Sequence, residues 1–304
     1  MALGSDKVLW REPTDLQSRN LIYGSGGKEN VPGTTMTYEK EDLKGTNPKV
    51  IVRDENGTKW TVKFGREAQP ETAATRLLWA VGYFTDDDYL VPRLKIENLP
   101  KHLSRGGNFI KDGFAANVRL KRHRKGEEHL GSWKWRNSPF KATREFNGLR
   151  VMMALINNWD LTDDNTGIYK EKDSPEKIYL VKDVGSSFAT TGHSWVPSMQ
   201  KGNRHEYSGS KFIKKVKPQY VDFNVPTRPA WINFFNIYYF TKAMRLRWIG
   251  KHIPREDAKW IGGILARLSP DQIRDAFRAA GYAPDEVEGY AKTVEQRIAQ
   301  LKEL

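Results

Sequence analysis

The sequence contains no cysteine among its 304 residues, which excludes a disulfide framework, a thiolate metal site and a cysteine nucleophile. Its six histidines show no HExxH spacing, the arrangement by which a helix binds zinc in metalloproteases. His123 and His129 also lie in a basic run, where neighbouring positive charges oppose the binding of a cation. The composition therefore predicts neither a thiol-based site nor a structural zinc site.

Long apolar runs are also missing. No window approaches the ~18 apolar residues that a membrane-spanning helix needs, and the start MALGSDKVLW lacks the apolar core of a signal peptide. We therefore expect a soluble protein. Its compartment stays open between the cytoplasm and export followed by removal of a signal.

Acidic residues are fewer than basic ones. Against 37 Asp and Glu stand 50 Lys and Arg, which gives a formal net charge of +13 and a pI near 9.6. Such a chain attracts polyanions, whether nucleotides, nucleic acid, phospholipid surfaces or acidic proteins. With 38% hydrophobic residues it can still bury a substantial core, as one large domain or as two lobes.

The first part of the chain predicts an extension followed by a β-rich lobe. Residues 1–34 are polar and rich in turn residues, so we interpret them as an N-terminal extension. Three antiparallel strands should follow, two of them joined at Asn56-Gly57, a strong hairpin signal. A helix should begin near Pro70 and end near Gly82. Residues 35–123 are accordingly predicted to form a β-rich N-lobe with one helix.

Helical periodicity dominates after residue 124. The run REFNGLRVMMALINNW places apolar residues close to a 3.6-residue period, and three further helical patterns lie near the C-terminus. Residues 124–304 are therefore predicted to form a helical C-lobe. The fold class that we expect is α+β, with a small β-rich N-lobe and a mainly helical C-lobe.

An acidic cluster follows the first of these helices. The spacing Asp-x-x-x-x-Asn occurs four times in the chain, so the spacing alone proves nothing. Only the pair Asp160 and Asn165 follows a long apolar helix and precedes an Asp-x-Gly triplet, which begins at Asp183 after the strand-like run IYLV. That context favours a site in which Asp183 and Asn165 bind a hard cation and Asp160 contacts a hydroxyl group.

A hard cation and a carboxylate at a hydroxyl group are two of the groups that phosphoryl transfer needs. The third is a lysine that contacts the nucleotide phosphates. Lys63 is the candidate, because it ends the third predicted strand, where alternation places it on the same face as Thr61. Glu71, in the first turn of the next helix, could bind Lys63, and Glu67 is the alternative. A carboxylate in a first helical turn is equally favourable without any function.

A loop between the first two of the three strands is the candidate for covering the phosphates. Gly45, Thr46 and Asn47 could offer backbone N–H groups to an anion there. An ordinary hairpin loop explains the same residues.

These motifs resemble the atypical protein-kinase-like superfamily that includes HipA-type kinases and the phosphoinositide 3- and 4-kinases. The resemblance runs from about residue 38 to 188, over KWTVKFG, ETAATRLLWAVGY, NNWDLTDDNTGIY and IYLVKDVGSSF. It implies a two-lobed kinase-like fold and an enzyme that uses ATP and Mg²⁺, with Mn²⁺ as an alternative ion. It assigns the nucleotide lysine to Lys63, the catalytic aspartate to Asp160, and the metal ligands to Asn165 and Asp183. The phosphoryl acceptor, a protein, lipid headgroup or sugar, stays open.

Two alternatives remain. A nucleotide-binding pseudokinase would share the motifs without catalysing transfer. A basic protein that binds single-stranded nucleic acid would use cations together with stacking aromatic residues such as Trp133 and Trp135. The basic patch at residues 201–217 also favours an anionic acceptor, or contact with a membrane surface or nucleic acid, although solvent exposure explains it equally well.

Overall fold

A computed structural model of the protein describes residues 6–45, 47–189, 202–225 and 246–304. Six α-helices and thirteen β-strands are assigned within these ranges. The helices are α1 (Ala68–Ala80), α2 (Arg144–Leu155), α3 (Arg204–Gly209), α4 (Arg255–Leu265), α5 (Pro270–Ala279) and α6 (Pro284–Lys302). The strands are β1 (Lys7–Val8), β2 (Thr35–Asp42), β3 (Lys49–Arg53), β4 (Lys59–Lys63), β5 (Asp88–Glu97), β6 (Ile110–Lys111), β7 (Phe114–Arg122), β8 (Glu127–Gly131), β9 (Thr166–Glu171), β10 (Lys177–Val181), β11 (Ile213–Val216), β12 (Tyr220–Phe223) and β13 (Ile253–Pro254).

The β-rich lobe is a closed sheet. Its strand order is β4-β3-β2-β5-β7-β6, and β4 also pairs with β7, so five strands form a small barrel. The three strands β2, β3 and β4 are antiparallel, and the turn between β3 and β4 contains Gly57 at φ +76°. Strand alternation places Val50, Val62 and Leu120 inside the barrel, where each is fully buried. The interior is therefore apolar, and the alternate residues face outward.

Helix α1 connects the barrel to the C-lobe. It begins at Ala68, two residues before the predicted start at Pro70, and Gly82 follows its end with φ +97°. Its apolar residues Leu77 and Leu78 belong to the same core as helices α2 and α4–α6, not to the barrel interior. Because one helix is shared in this way, the barrel is fixed against the helical lobe.

The C-lobe is mainly helical but also contains two small sheets. The sheet β1-β10-β9-β8 lies next to the start of the lobe, and β11-β12-β13 forms the second. Helix α2 begins where the Thr143 side chain accepts a hydrogen bond from Phe146 N, and it ends at Leu155. The predicted α+β fold, with a β-rich N-lobe and a mainly helical C-lobe, is confirmed.

The N-terminal segment is packed against both lobes. Strand β1 pairs in parallel with β10 of the C-lobe, and Trp10 Nε1 donates to Val81 O at 2.6 Å. Leu16 and Leu21 are fully buried in the main core. The segment that the sequence predicts as an N-terminal extension thus contributes apolar residues to the main core. No helix within the described ranges is long and apolar enough to cross a membrane.

Candidate active site

Lys63 lies at the centre of a buried cluster of carboxylates. Its Nζ is 2.9 Å from Glu71 Oε2, 2.7 Å from Asp183 Oδ1 and 2.5 Å from Glu67 Oε2. Val62 points into the barrel, so the next residue along β4 must point outward, where α1 covers it. The cluster therefore joins a strand, the start of a helix and the loop after β10. Both sequence candidates for the lysine partner, Glu67 and Glu71, contact Lys63.

The charges of this cluster depend on one another. Burial opposes the charged form of Lys63, but the three carboxylates outweigh it and raise the pKa of the ammonium. Burial also acts on Asp183, yet Lys63 lowers the pKa of this carboxyl below its ordinary value. Burial raises the pKa of Glu71 to about 7, although Arg119 and Lys63 both act to lower it. Lys63 is thus charged and Asp183 ionised, while Glu71 titrates near neutral pH.

A second layer of ion pairs supports Glu71. Arg119 lies opposite Lys63 in the β4–β7 ladder, and its Nη2 is 3.2 Å from Glu71 Oε1. The same guanidinium is 3.5 Å from Asp88, which also accepts a hydrogen bond from Arg76 at 2.8 Å. All of these side chains are buried. Sequence analysis missed this layer, because the barrel closure that brings β7 beside β4 is not visible in the local pattern.

Backbone hydrogen bonds hold the acidic cluster after α2 beside the Asp-x-Gly loop. Phe188 N donates to Ile156 O at 2.8 Å, Trp159 N to Ser186 O at 3.3 Å, and Lys182 N to Asn165 O at 2.9 Å. These bonds join the two loops at both ends. The structure therefore brings the segments that contain Asp160 and Asp183 together.

Asp160 and Asn165 are linked within their own loop. Asn165 Nδ2 donates to Asp160 O at 2.7 Å, and Asp160 N donates to Asn158 Oδ1 at 3.0 Å. Since the Asn165 amide uses its nitrogen in this bond, its carbonyl oxygen is the atom that can bind a cation. Asp160 is half-buried, at a depth that a substrate can reach.

Three residues of these loops adopt the left-handed backbone conformation: Asn157 at φ +51°, Asp183 at φ +55° and Phe188 at φ +54°. This conformation is strained for residues with a side chain, and such strain concentrates at functional sites. The Asn157 side chain helps to maintain it, donating to Ala189 O at 3.0 Å and to Ser210 Oγ at 2.7 Å.

Gly185, the last residue of the Asp-x-Gly triplet, lies against the start of α1. A Cβ atom at this position would be 2.7 Å from Glu67 Cβ and 3.2 Å from Glu67 O. Only glycine allows this approach without displacement of the backbone. The glycine of the motif thus sets the distance between the Asp183 loop and the carboxylates of α1.

The loop after β2 reaches this cluster through Asn47, whose Nδ2 donates to Glu67 Oε2 at 2.5 Å. Gly45 is exposed at φ +71°, and its carbonyl accepts a hydrogen bond from Arg105 at 2.6 Å. Thr46 lies outside the described residues. Of the three predicted loop residues, the structure therefore places Asn47 in contact with the lysine cluster.

The oxygen atoms of this site suit a hard cation. Carboxylate oxygens of Glu67, Glu71 and Asp183 lie within 4.8 Å of one another, and nearly half of the Asp183 side chain, 46%, is exposed. Magnesium and manganese prefer such oxygen ligands. The Glu67 and Glu71 side chains are only 5% and 1% exposed, so Asp183 is the acid of this group that is most accessible to an ion.

Arg297 of α6, which no local pattern in the sequence marks, supports the segment between α2 and Asp160. This buried guanidinium donates to Leu155 O at 2.7 Å and to Asn157 Oδ1 at 3.0 Å, and it lies 4.1 Å from the ring centroid of Tyr207. It thereby binds the last carbonyls of α2, where a positive charge is favourable. No sequence signal marked it, because it lies 140 residues beyond Asn157.

Comparison with known proteins gives matches in structure only. No protein family and no curated protein sequence matches this chain. The proinflammatory kinase CtkA of Helicobacter pylori has a TM-score of 0.47 and 12% identity over 90% of this chain and 97% of its own. A Golgi casein kinase has a TM-score of 0.34 and 12% identity over 94% of this chain and 78% of its own. A Golgi casein kinase structure with Mn/ADP bound has a TM-score of 0.40 and 11% identity, over 90% and 72% respectively.

Proposed function

We propose that this protein is an ATP- and Mg²⁺-dependent phosphotransferase whose acceptor is a hydroxyl group. The observation that supports it best is the three-way contact of Lys63 with Glu71 and Asp183, from three separate elements. A lone surface lysine would have no reason to be buried among carboxylates, since burying an ammonium is costly unless it is paired. The arrangement provides the fixed positive and negative groups that phosphoryl transfer requires.

Each residue has a separate part in this proposal. Lys63, held by Glu71, would contact the nucleotide phosphates. Asp183 and the carbonyl oxygen of Asn165 would bind Mg²⁺ or Mn²⁺, which when bound supplies positive charge to the phosphates. Asp160 would accept the proton of the acceptor hydroxyl as that oxygen attacks.

The loop with Gly45 and Asn47 would cover the phosphates. Asn47 of this loop contacts Glu67, so the loop lies next to the lysine cluster. Backbone N–H groups near Gly45 would provide the donors.

The two tryptophans that a single-strand binder would use for stacking are not exposed. Trp133 and Trp135 are buried in the main core, and Trp133 Nε1 donates to Leu180 O at 2.9 Å. Neither indole can stack on a base without unfolding the protein around it. This favours the phosphotransferase over a binder of single strands.

The experiment uses γ-labelled ATP with Mg²⁺, first with the protein alone and then with pooled hydroxyl acceptors. Asp160→Asn should lower kcat by about 10²–10⁴-fold with little change in nucleotide affinity, because a general base acts in the transition state. Asn165→Ala should weaken Mg²⁺-dependent nucleotide binding as well. Circular dichroism checks that both variants fold.

The outcomes separate three functions. Label transfer that Asp160→Asn abolishes supports the enzyme. Nucleotide binding without any transfer or hydrolysis indicates a pseudokinase. Full turnover by Asp160→Asn would place the catalytic base elsewhere, and a lack of any ATP binding at millimolar concentration would refute the proposal.

A further inference from the structure

An exposed group of lysines follows the acidic loops in the chain. We call the segment 211–223, which contains β11, β12 and the turn between them, the lysine hairpin. Its four lysines are exposed, and none forms an ion pair with a described residue. They are Lys211, Lys214, Lys215 and Lys217.

The lysines occupy a part of the hairpin that does not contribute to the core. β11 is the edge strand of the sheet β11-β12-β13 among the described residues, and its register shifts between Ile213 and Lys215. Residues 214–217 are all exposed, so the usual alternation of buried and exposed positions is lost there. Val221 and Phe223 of β12 are buried and attach the hairpin to the body.

The base of the lysine hairpin is bonded to the proposed catalytic loop. Asn157 Nδ2 donates to Ser210 Oγ at 2.7 Å, and Ser210 directly precedes Lys211. Asn157 lies three residues before Asp160. Phe212 is buried, with its ring centroid 5.3 Å from the Arg297 guanidinium that holds the end of α2. A ligand on the hairpin would therefore lie on an element that is bonded directly to the segment before Asp160.

The structure favours an acidic peptide over a single-stranded nucleic acid. The buried rings of Phe212 and Phe223 cannot stack on bases, and the half-buried ring of Tyr220 lies 4.5 Å from that of His252. A single-strand binder needs exposed aromatic platforms. The irregular register of β11 also opposes the addition of another strand, so binding would use lysine side chains rather than the backbone.

Edge lysines have an established structural purpose, since they prevent edge-to-edge aggregation. One or two lysines suffice for that purpose. Four lysines within seven residues exceed it, since none forms an ion pair among the described residues and their hairpin is bonded to the proposed catalytic loop. Asp222, which lies opposite Lys215 in the ladder, is close to His252 instead. An extended segment that contacts all four would span about 20 Å, or about six residues.

We propose that the lysine hairpin binds an acidic segment of a peptide acceptor and thereby delivers a nearby hydroxyl side chain to Asp160. This rests on the proposed phosphotransferase function. Binding itself requires neither nucleotide nor metal, so it can be measured apart from that function.

The test measures binding of a fluorescein-labelled twelve-residue peptide of alternating Glu and Gly with one Ser, by fluorescence anisotropy. A counterpart with Gln in place of Glu is the uncharged probe. One variant replaces the four hairpin lysines by Gln. A control variant with the same charge change replaces four exposed lysines elsewhere, namely Lys101, Lys111, Lys172 and Lys292.

We expect the hairpin variant to bind the acidic peptide about 10-fold or more weakly, because several ion pairs are lost together. The control variant should bind within about 2-fold of wild type, and salt should weaken wild-type binding. If the peptide is phosphorylated, the hairpin variant should raise KM and leave kcat unchanged.

Equal losses in both variants would show a general charge effect and overturn the proposal. So would a wild type that binds the Gln probe equally well. Oligothymidylate and vesicles with anionic lipid are tested in parallel, and a hairpin-dependent preference for either over the peptide would also overturn it. A wild type that binds the peptide through the hairpin but shows no Mg²⁺-ATP thermal shift would retain the docking surface and reject the phosphotransferase.

Discussion

Replacing Lys63 by Met tests whether the buried cluster exists as described. The substitution keeps most of the length of the unbranched side chain and removes its charge. It leaves Glu67 and Glu71 buried, with Arg119 as the remaining cation in contact with Glu71. Removing one partner of a buried ion pair costs about 3–5 kcal/mol. We expect Lys63→Met to lose this much free energy of unfolding in urea, followed by far-UV circular dichroism, in addition to its loss of Mg²⁺-ATP binding.

A second substitution distinguishes lost stability from lost function. In the Lys63→Met background, Glu71→Gln removes one of the two buried carboxylates that lost their lysine and should restore part of the stability, with a coupling free energy of about 0.5–3 kcal/mol. The double variant should still fail to show a thermal shift with Mg²⁺-ATP, because the phosphate contact is absent. If Lys63→Met is as stable as wild type, or if Glu71→Gln restores no stability in that background, Lys63 and Glu71 do not form the buried pair seen here.

Three further predictions follow from the same contacts. Gly185→Ala places a methyl group 2.7 Å from Glu67 Cβ. Such overpacking should lower the free energy of unfolding by about 1–3 kcal/mol and weaken Mg²⁺-ATP binding measured by calorimetry. Unchanged affinity would contradict the proposed spacing. Burial raises the pKa of Glu71 to about 7 from 4.5, so between these pH values the folded state binds a proton that the unfolded chain releases. As the pH rises from 4.5 to 7, wild type should lose up to about 1.4 kcal/mol of stability per pH unit relative to Glu71→Gln. Identical pH profiles of stability for the two proteins would refute this. Arg297→Met removes several hydrogen bonds of a buried guanidinium and leaves the buried Asn157 Oδ1 without its donor, so it should cost about 3 kcal/mol or more. Arg278→Met, which breaks an exposed ion pair, should cost about 1 kcal/mol or less. Equal costs in urea unfolding would show that Arg297 does not stabilise this region.

Local sequence signals predicted the elements that carry the site. Asn56-Gly57 predicted the hairpin of β3 and β4, and alternation along β4 predicted that Lys63 shares a face with Thr61. The position of Glu71 one turn into α1 follows from the Pro and Glu at the start of that helix. Each of these signals operates within about ten residues, the range over which backbone propensity and periodicity act.

The partners of these residues could not be predicted in the same way. Arg119 reaches Glu71 because β7 closes the barrel against β4, a pairing between strands that lie more than fifty residues apart. Glu67 precedes α1 and was left as an alternative to Glu71, because sequence spacing cannot show that one ammonium contacts both carboxylates. Such contacts depend on how the chain packs, which propensity does not encode.

The left-handed residues show where local signals and tertiary structure meet. Asn157 and Asp183 are types that adopt this conformation at moderate cost, because their short polar side chains can bond locally. Phe188 is not such a type, and nothing in its neighbourhood predicts φ +54°. Its N–H donates to Ile156 O and its carbonyl accepts from Asn203 N, both at 2.8 Å. The first of these bonds holds the Asp183 loop against the end of α2, from which the Asp160 loop begins. The residue whose conformation contradicts its type thus lies at the point where the two loops are joined.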